Sequence, residues 1–422
     1  SEAKICESGT FEFDPSESLA KSRHYFGEHG GVNKSIEAST TFTVLKASDL
    51  PDIFMGNKAI MPDGDSGYFL YSRQFNPTVF GLGHELAALE GLEAGYATAS
   101  GMASISSVVM QLCDTGDWTV ASRTVYGGTH ALLEDMLPKK ANVHTRFVEI
   151  TDLEEVDAAL AELGGKAKVL YTEVVANPSL AVANIPELSK LAHKHGAKLV
   201  VDNTFSPCVV SPAKHGADVV IHSVTKYING ASDIIAGAIC ADMDFLKQLM
   251  DLHTGTLMLL GPVMDPRVAF DVSMRLPHLP LRIKEHSRRA LYLARKLEEV
   301  GAKVCYPGLP SHPHHELFKG MANVGYGFGG MLTIDVGTLD KANKLMEYLQ
   351  NVHRFGYMAV SLGYADSLLT APGATTASEI PAEEQVKGGI TPGLVRISVG
   401  FTGSVEMRWE QLHDALKHFD IV

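Results

Sequence analysis

Lys226 lies in the run Ser223-Val224-Thr225-Lys226-Tyr227, directly after the apolar stretch Val219-Val220-Ile221-His222. A second apolar stretch, Leu199-Val200-Val201, ends upstream in Asp202-Asn203-Thr204. A lysine at the end of a strand, flanked by small hydroxyl residues, suits a Schiff base with an aldehyde cofactor. Attack requires the neutral amine, and desolvation in a pocket moves a lysine toward that form. A buried aspartate ending a neighbouring strand suits a protonated ring nitrogen, which is what pyridoxal phosphate (PLP) asks of its protein.

Further residues could complete such a site, and each has a plainer alternative. Ser100-Gly101-Met102 lies at a strand-to-helix turn, where free N–H groups and a positive dipole end suit a phosphate; many helices also simply begin this way. Ser223 and Thr225 could add hydroxyl contacts to the same phosphate. Tyr126, before Gly127 and Gly128, could stack on a cofactor ring or be an ordinary turn tyrosine. Asn177-Pro178 follows a strand ending in Glu173; its amide could reach a ring oxygen, or the pair could be a turn alone. Tyr71-Ser72-Arg73 offers a bidentate phosphate ligand or a solvated surface arginine. Arg396, between apolar neighbours in Leu394 to Val399, could clamp a carboxylate or face water from an edge strand. His312, His314 and His315 read as a surface loop rather than a metal site, and His193 and His195 as a solvated helix end. Gly325 to Gly330 lacks the strand-then-helix context of a dinucleotide loop.

These residues need a frame to hold them. Residues 1–75 mix Gly, Ser, Asp and Pro with short apolar pieces and read as an extended arm that packs on something else. From about residue 76, strands alternate with helices. Strands are expected at Gly95–Ala99, Thr119–Ala121, Val143–Val148 and Val169–Glu173, and in the segments ending at Asp202 and His222. Helices are expected at His84–Leu92, Ser100–Leu112, Gly128–Leu137, Leu153–Leu163 and Pro186–His195. Such alternation predicts a mostly parallel sheet between helical layers. A helix over Arg282–Val300, strands at Met331–Val336 and Leu394–Val399, and a helix at Lys341–Leu349 predict a smaller α+β lobe. The loop from Ala371 to Gly389 is long enough to be site-lining.

Composition narrows the alternatives. A chain of 422 residues exceeds one ordinary core. A formal net charge of -13 argues against nucleic-acid and anionic-membrane partners, which need a basic face. Cys6, Cys113, Cys208, Cys240 and Cys305 are scattered, odd in number and without a CxxC pair, favouring reduced thiols over disulfides or zinc. No apolar run reaches membrane-spanning length, and Ser1 to Lys4 open no basic-then-apolar leader, so a cytoplasmic location is expected.

Taken in order, these motifs resemble the PLP-dependent Cys/Met metabolism family (γ-family, fold type I). The motifs are Tyr71-Ser72-Arg73, Ser100-Gly101-Met102, Tyr126-Gly127-Gly128-Thr129-His130, Asn177-Pro178, Asp202-Asn203-Thr204, Ser223-Val224-Thr225-Lys226, Ser361-Leu362-Gly363 and Arg396-Ile397-Ser398-Val399-Gly400. Phe26 to Gly31 and Val360 to Tyr364 liken the chain most to a plant-type, methionine-cleaving branch. The resemblance implies an α/β fold with an N-terminal arm over 1–75, a PLP-binding domain over 76–280 and a smaller α+β domain over 281–422. It implies that Lys226 holds PLP and shuttles protons, that Asp202 keeps the ring nitrogen protonated, and that Tyr126 stacks on the ring and assists the leaving group. It implies that Gly101, Met102, Ser223 and Thr225 hold the phosphate, and that Tyr71 and Arg73 reach the phosphate of a neighbouring subunit in a homotetramer. Arg396 with Ser361 would grip a substrate carboxylate. The implied reaction is α,γ-elimination of L-methionine to methanethiol, 2-oxobutanoate and ammonia; the sibling reactions are elimination from cystathionine and γ-replacement on an activated homoserine. Val360 stands where many cystathionine-handling members carry a glutamate, and valine suits an apolar thioether. Gly128 replaces a cysteine of several microbial members, and Pro372 to Ala377 lacks the usual Thr-His ending.

Overall fold

Apolar runs too short for helices become the strands of one central sheet. These are β1 (Ala94–Thr98), β2 (Trp118–Ser122), β3 (His144–Val148), β4 (Ala167–Glu173), β5 (Lys198–Asp202), β6 (Val219–His222) and β7 (Gly237–Ala241), hydrogen-bonded in the order β1-β7-β6-β5-β4-β2-β3. The computed structural model describes residues 9–23, 26–54, 69–375, 383, 385 and 388–422. Ser1 to Lys4, Cys6, part of the arm and much of the 371–389 loop, including Thr376 and Ala377, lie outside the described residues.

All pairings in this sheet are parallel except those of β7, which runs antiparallel to both β1 and β6. Alternate residues of each strand enter opposite cores. Leu170, Val201 and Val220 join one cluster, while Val169, Tyr171, Val200 and Ile221 join the other. With both faces covered, β4, β5 and β6 carry unbroken apolar runs rather than alternating ones. β7 was not expected from the sequence: Gly-Ala-Ile-Cys-Ala is short, rich in small residues, and closes the sheet without a crossover helix of its own.

Local chemistry sets the helix boundaries. The side chain of Asn76 accepts from the N–H groups of Thr78 and Val79 and starts the helix Pro77–Glu90, which Gly91 ends in the left-handed region. Asp152 caps Leu153–Leu163, and Asn184 caps Ile185–Lys194. The helical run expected at Gly128–Leu137 contains a π-helical turn, Leu132–Met136. The helices Thr256–Leu260 and Pro266–Arg275 were not read from the sequence.

A second sheet has the order β10-β11-β12-β9-β8. Its strands are β8 (Val304–Cys305), β9 (Met331–Asp335), β10 (Gly356–Met358), β11 (Ser367–Thr370) and β12 (Leu394–Ser398). β12 lies between β11 and β9, with Arg396 opposite Thr370 and Thr333, so it is not an edge strand and Arg396 does not face water. No helix among the described residues is long and apolar enough to cross a membrane.

The segment expected to be an extended arm begins with a docked helix, Pro15–Ser22. Ser18 Oγ donates to Ala88 O at 2.6 Å. Arg23 Nη1 reaches Glu85 Oε2 at 3.0 Å and Ser273 O at 2.7 Å, and Lys34 pairs with the other oxygen of Glu85. The Glu85 side chain is fully buried, so its removal would strand cationic partners in a poorly solvated place. We expect Glu85→Ala to cost about 3 kcal/mol, read as a lower urea midpoint at fixed protein concentration. An unchanged midpoint would remove this clamp from the account of how residues 15–34 are held.

Candidate active site

In open α/β sheets, ligands bind beyond the carboxyl ends of the strands. Ser100 follows β1, Tyr126 follows β2, Glu173 and Asp202 end β4 and β5, and Ser223 to Lys226 follow β6. These ends share one edge and enclose a cavity of about 240 Å³. The cavity is lined by Ser100, Gly101, Met102, Tyr126, Asn177, Asp202, Ser223, Thr225, Lys226, Val360 and Arg396. Ser361 borders it, its Oγ accepting from Lys226 Nζ at 3.1 Å. Tyr71 and Arg73 are not among its lining residues. Arg73 instead donates to Met258 O at 2.6 Å and lies 5.7 Å from the Tyr71 ring centroid, while Tyr71 is half-exposed.

One end of the cavity is made for an anion. The Ser100 side chain caps its helix by accepting from Ala103 N–H, leaving the N–H groups of Gly101 and Met102 at the open end of the twelve-residue helix Gly101–Leu112. Only glycine fits at 101: a Cβ there would lie 2.9 Å from Ser223 Cβ and 3.0 Å from its Cα. Thr225 lines the same end, although its hydroxyl donates to Ala236 O at 3.1 Å and accepts from Ala236 N–H at 2.9 Å.

The opposite wall carries buried carboxyls. Asp202 Oδ1 accepts from Thr204 N–H at 2.9 Å and Oδ2 from the Tyr171 hydroxyl at 3.4 Å. Burial pushes the Asp202 carboxyl up, and no cation among the described residues forms an ion pair with it. A cationic ring nitrogen would relieve that cost. Glu173 lies beside it in cross-strand register. Burial, then Asp202, push Glu173 up to about 8, against the opposing effect of its hydrogen bonds and Arg396.

Lys226 and Arg396 supply the cations. Burial lowers Lys226, and Arg396 lowers it further, toward the neutral form a nucleophile needs. Arg396 is 2% exposed, and burial pushes it down to about 10. Its Nη1 donates to Asn177 Oδ1 at 2.9 Å and its Nη2 to Ser361 O at 3.2 Å. Its Nε is buried without a partner among the described residues. A buried guanidinium with a spare donor fits a carboxylate ligand. Gly363 lets the Ser361 loop approach the Lys226 turn: its φ is 78°, and a Cβ there would meet Tyr227 N at 2.5 Å.

Several residues at this site were invisible as functional in the sequence. Glu173 and Thr204 line the cavity and tie its loops together, yet each reads as an ordinary strand-end residue. Behind β6, buried His222 Nε2 lies 2.7 Å from Glu90 Oε1, which also accepts from Asn203 Nδ2 at 2.9 Å. The histidines read as a surface loop differ too: His312 is buried and accepts from His314 N–H at 3.1 Å, and His314 Nδ1 accepts from Val182 N–H at 3.1 Å. His193 and His195 do sit at a helix end, paired with Asp218 and Asp157.

A lysine, a buried aspartate and a helix N-terminus converging at the carboxyl edge of a parallel sheet define an enzyme site for an aldehyde cofactor with an anionic tail. Comparison with known proteins gives the family. Residues 18–417 match the family described as Cys/Met metabolism PLP-dependent enzymes, and the chain belongs to it. It is 54% identical over 402 residues to a methionine gamma-lyase of Arabidopsis thaliana, covering 95% of this chain and 90% of the relative. Its fold superposes on a cystathionine gamma synthase of Xanthomonas oryzae in complex with aminoacrylate and cysteine, with TM-score 0.85, 30% identity and coverage of 97% and 99% of the two chains. It also superposes, with TM-score 0.86, 26% identity and coverage of 96% and 100%, on a Campylobacter jejuni chain described as an O-acetylhomoserine (thiol)-lyase that carries N'-pyridoxyl-lysine-5'-monophosphate. The cofactor is therefore PLP, and the donor set above fits it.

The close approach at Gly101 generates a prediction. Gly101→Ala should force the helix end away from Ser223 and weaken PLP binding about tenfold, the equivalent of about 1.4 kcal/mol, measured by equilibrium titration of apoprotein. Unchanged affinity would remove this helix end from the phosphate site.

Proposed function

We propose that the protein catalyses α,γ-elimination of L-methionine, taking up one water and releasing methanethiol, 2-oxobutanoate and ammonia. The observation that carries this reading is Val360, an apolar side chain on the cavity rim with Leu362 and Ile235 also lining the space. A thioether methyl is accommodated there, whereas the distal ammonium of cystathionine would want an acid. The identity to a methionine gamma-lyase supports the same choice.

PLP, when bound, supplies an electron-withdrawing ring that stabilises negative charge developing on the substrate carbons. Lys226 would hold it covalently in the resting enzyme. Gly101 and Met102 would receive the phosphate on main-chain N–H groups at the helix end that Ser100 caps, with the Ser223 hydroxyl beside them. Thr225 would join by exchanging its bond to Ala236 for one to the phosphate. Asp202 would face the ring nitrogen, and Tyr126 would cover the ring. Because Asn177 Oδ1 is taken by Arg396, its Nδ2 remains to donate to a ring oxygen. Arg396 would orient the amino acid through its carboxylate, with Ser361 beside it. Freed from the cofactor, Lys226 Nζ would remove the proton at substrate Cα and then serve Cβ. The Tyr126 hydroxyl would give a proton to the departing sulfur.

The arm is read in the same terms: residues 1–75 precede a cofactor domain over 76–280 and a C-terminal domain over 281–422. Tyr71 and Arg73 lie outside their own cavity, Arg73 against the helix Thr256–Leu260, whose Leu259 and Leu260 are exposed. We place them at the phosphate of a neighbouring subunit in a homotetramer. The free thiols at Cys113, Cys208, Cys240 and Cys305 support a reducing, cytoplasmic setting.

PLP-loaded protein should release methanethiol and 2-oxobutanoate from L-methionine faster than it cleaves L-cystathionine, and Lys226→Ala should abolish both reactions. Preference for cystathionine, or turnover only with an activated homoserine and a thiol, would move the enzyme to a sibling reaction. Arg73→Ala should speed loss of PLP on dialysis at least tenfold. Retention equal to the parent protein would place Arg73 outside the cofactor site.

A further inference from the structure

Glu173 has no part in the chemistry outlined above, yet it touches both loops that do. One of its oxygens, Oε1, accepts from Tyr126 N–H at 2.7 Å. The other, Oε2, accepts from Asn177 N–H at 2.9 Å. Tyr126 begins the helix Gly127–Ala131 with no side-chain cap of its own, so the Glu173 carboxylate supplies the fixed partner for its main chain. Asn177 sits in the loop that the Val175–Val182 bridge pinches off after β4. Its Oδ1 in turn holds Arg396 Nη1 at 2.9 Å. A single carboxylate on a rigid strand end thus joins the stacking aromatic to the guanidinium.

We propose that Glu173 is a positioning residue that fixes Tyr126 over the cofactor ring and, through Asn177, sets Arg396 for the substrate carboxylate. This inference rests on the cofactor reading given above. The geometry separates it from a role in stability. Glu173 is a buried carboxyl beside Asp202 in register, and burial, then the Asp202 charge, push it toward the neutral form. A neutral isostere at 173 therefore leaves Asp202 without a like charge beside it and should not unfold the protein. The isosteric Glu173→Gln keeps one acceptor but turns an NH₂ group toward the second N–H, breaking one of the two bonds.

The test compares the parent enzyme, E173Q, Asn177→Ala and their double variant, each loaded with PLP. We expect E173Q to keep one cofactor per chain and a thermal midpoint equal to or above the parent. Its visible circular dichroism, which reports ring orientation, should change at least twofold. Its KM for L-methionine should rise and its kcat fall, each by about tenfold. The effects of E173Q and Asn177→Ala on KM should be less than additive, since they act along one chain of contacts. Parental KM and visible dichroism in E173Q would overturn the proposal. So would a lowered midpoint and lost cofactor with KM unchanged, because that pattern belongs to a core residue. If E173Q does not fold, Glu173→Asp decides the matter: its shorter carboxylate should shift dichroism and KM, and parental values for both would overturn the proposal. Absence of a visible cofactor band in the parent protein after PLP addition is a separate outcome, which would sink the cofactor reading and with it this inference.

Discussion

Two carboxyls are buried side by side at the ends of β4 and β5, and much of the site can be understood as the answer to their cost. Glu173 and Asp202 face each other in register, and desolvation pushes both toward the neutral form. A buried carboxyl persists where hydrogen bonds and opposite charge offset its desolvation. Main-chain and hydroxyl donors contribute to this: Tyr126 N–H and Asn177 N–H on Glu173, Thr204 N–H and the Tyr171 hydroxyl on Asp202. Each donor belongs to a segment that shapes the cavity. The constraint that satisfies the carboxyls therefore also orders the aromatic loop, the Asn-Pro loop and the turn that receives Ser223 N–H on Thr204 Oγ1.

The second sheet completes what the first cannot supply. β12 is a central strand there, and its Arg396 side chain is directed at the cavity rather than at solvent. An arginine so deeply buried gives up much hydration, and burial lowers it despite the nearby Glu173. Its remaining donor capacity is what a carboxylate ligand would take. The loop that carries Val360 and Ser361 is pressed onto the Lys226 turn at Gly363, so the lysine and the rim are packed against each other. Packing of this kind is how a site is held to within the tolerance that proton transfer demands.

What was legible in the sequence follows from the same physics. Lys226 and Asp202 could be read because strand-ending polar residues after continuous apolar runs stand out against their neighbours. The parallel sheet could be read from the alternation of strands and helices. Arg396 was visible as a residue but not as a buried one: one strand segment does not reveal whether β9 and β11 flank it. β7 escaped because its small residues carry neither period nor crossover helix. Glu173 escaped because a glutamate at a strand end looks solvated until the neighbouring strand places Asp202 beside it. That the arm packs on another element could be read, but its helix Pro15–Ser22 and its partner could not, since Glu85 meets Arg23 and Lys34 only once the helix Pro77–Glu90 is packed. In each case the missing information is a tertiary pairing, which local pattern does not encode.

The charge layout also explains why one orientation of a dipolar ligand is favoured in this cavity. The helix end at Gly101 and Met102 presents positive potential, while Asp202 lies at the ends of strands nearer the sheet centre. A ligand with an anionic tail and a cationic ring nitrogen relieves both ends only when it lies one way round. Lys226, lowered by burial, stands on the β6 turn between these ends, within reach of Ser361 Oγ. Arg396 lowers it further, so the guanidinium that would bind a carboxylate also acts on the amine in the direction of its neutral form. The two groups are thus coupled electrostatically, and the coupling arises from their shared burial rather than from a hydrogen bond between them among the described residues.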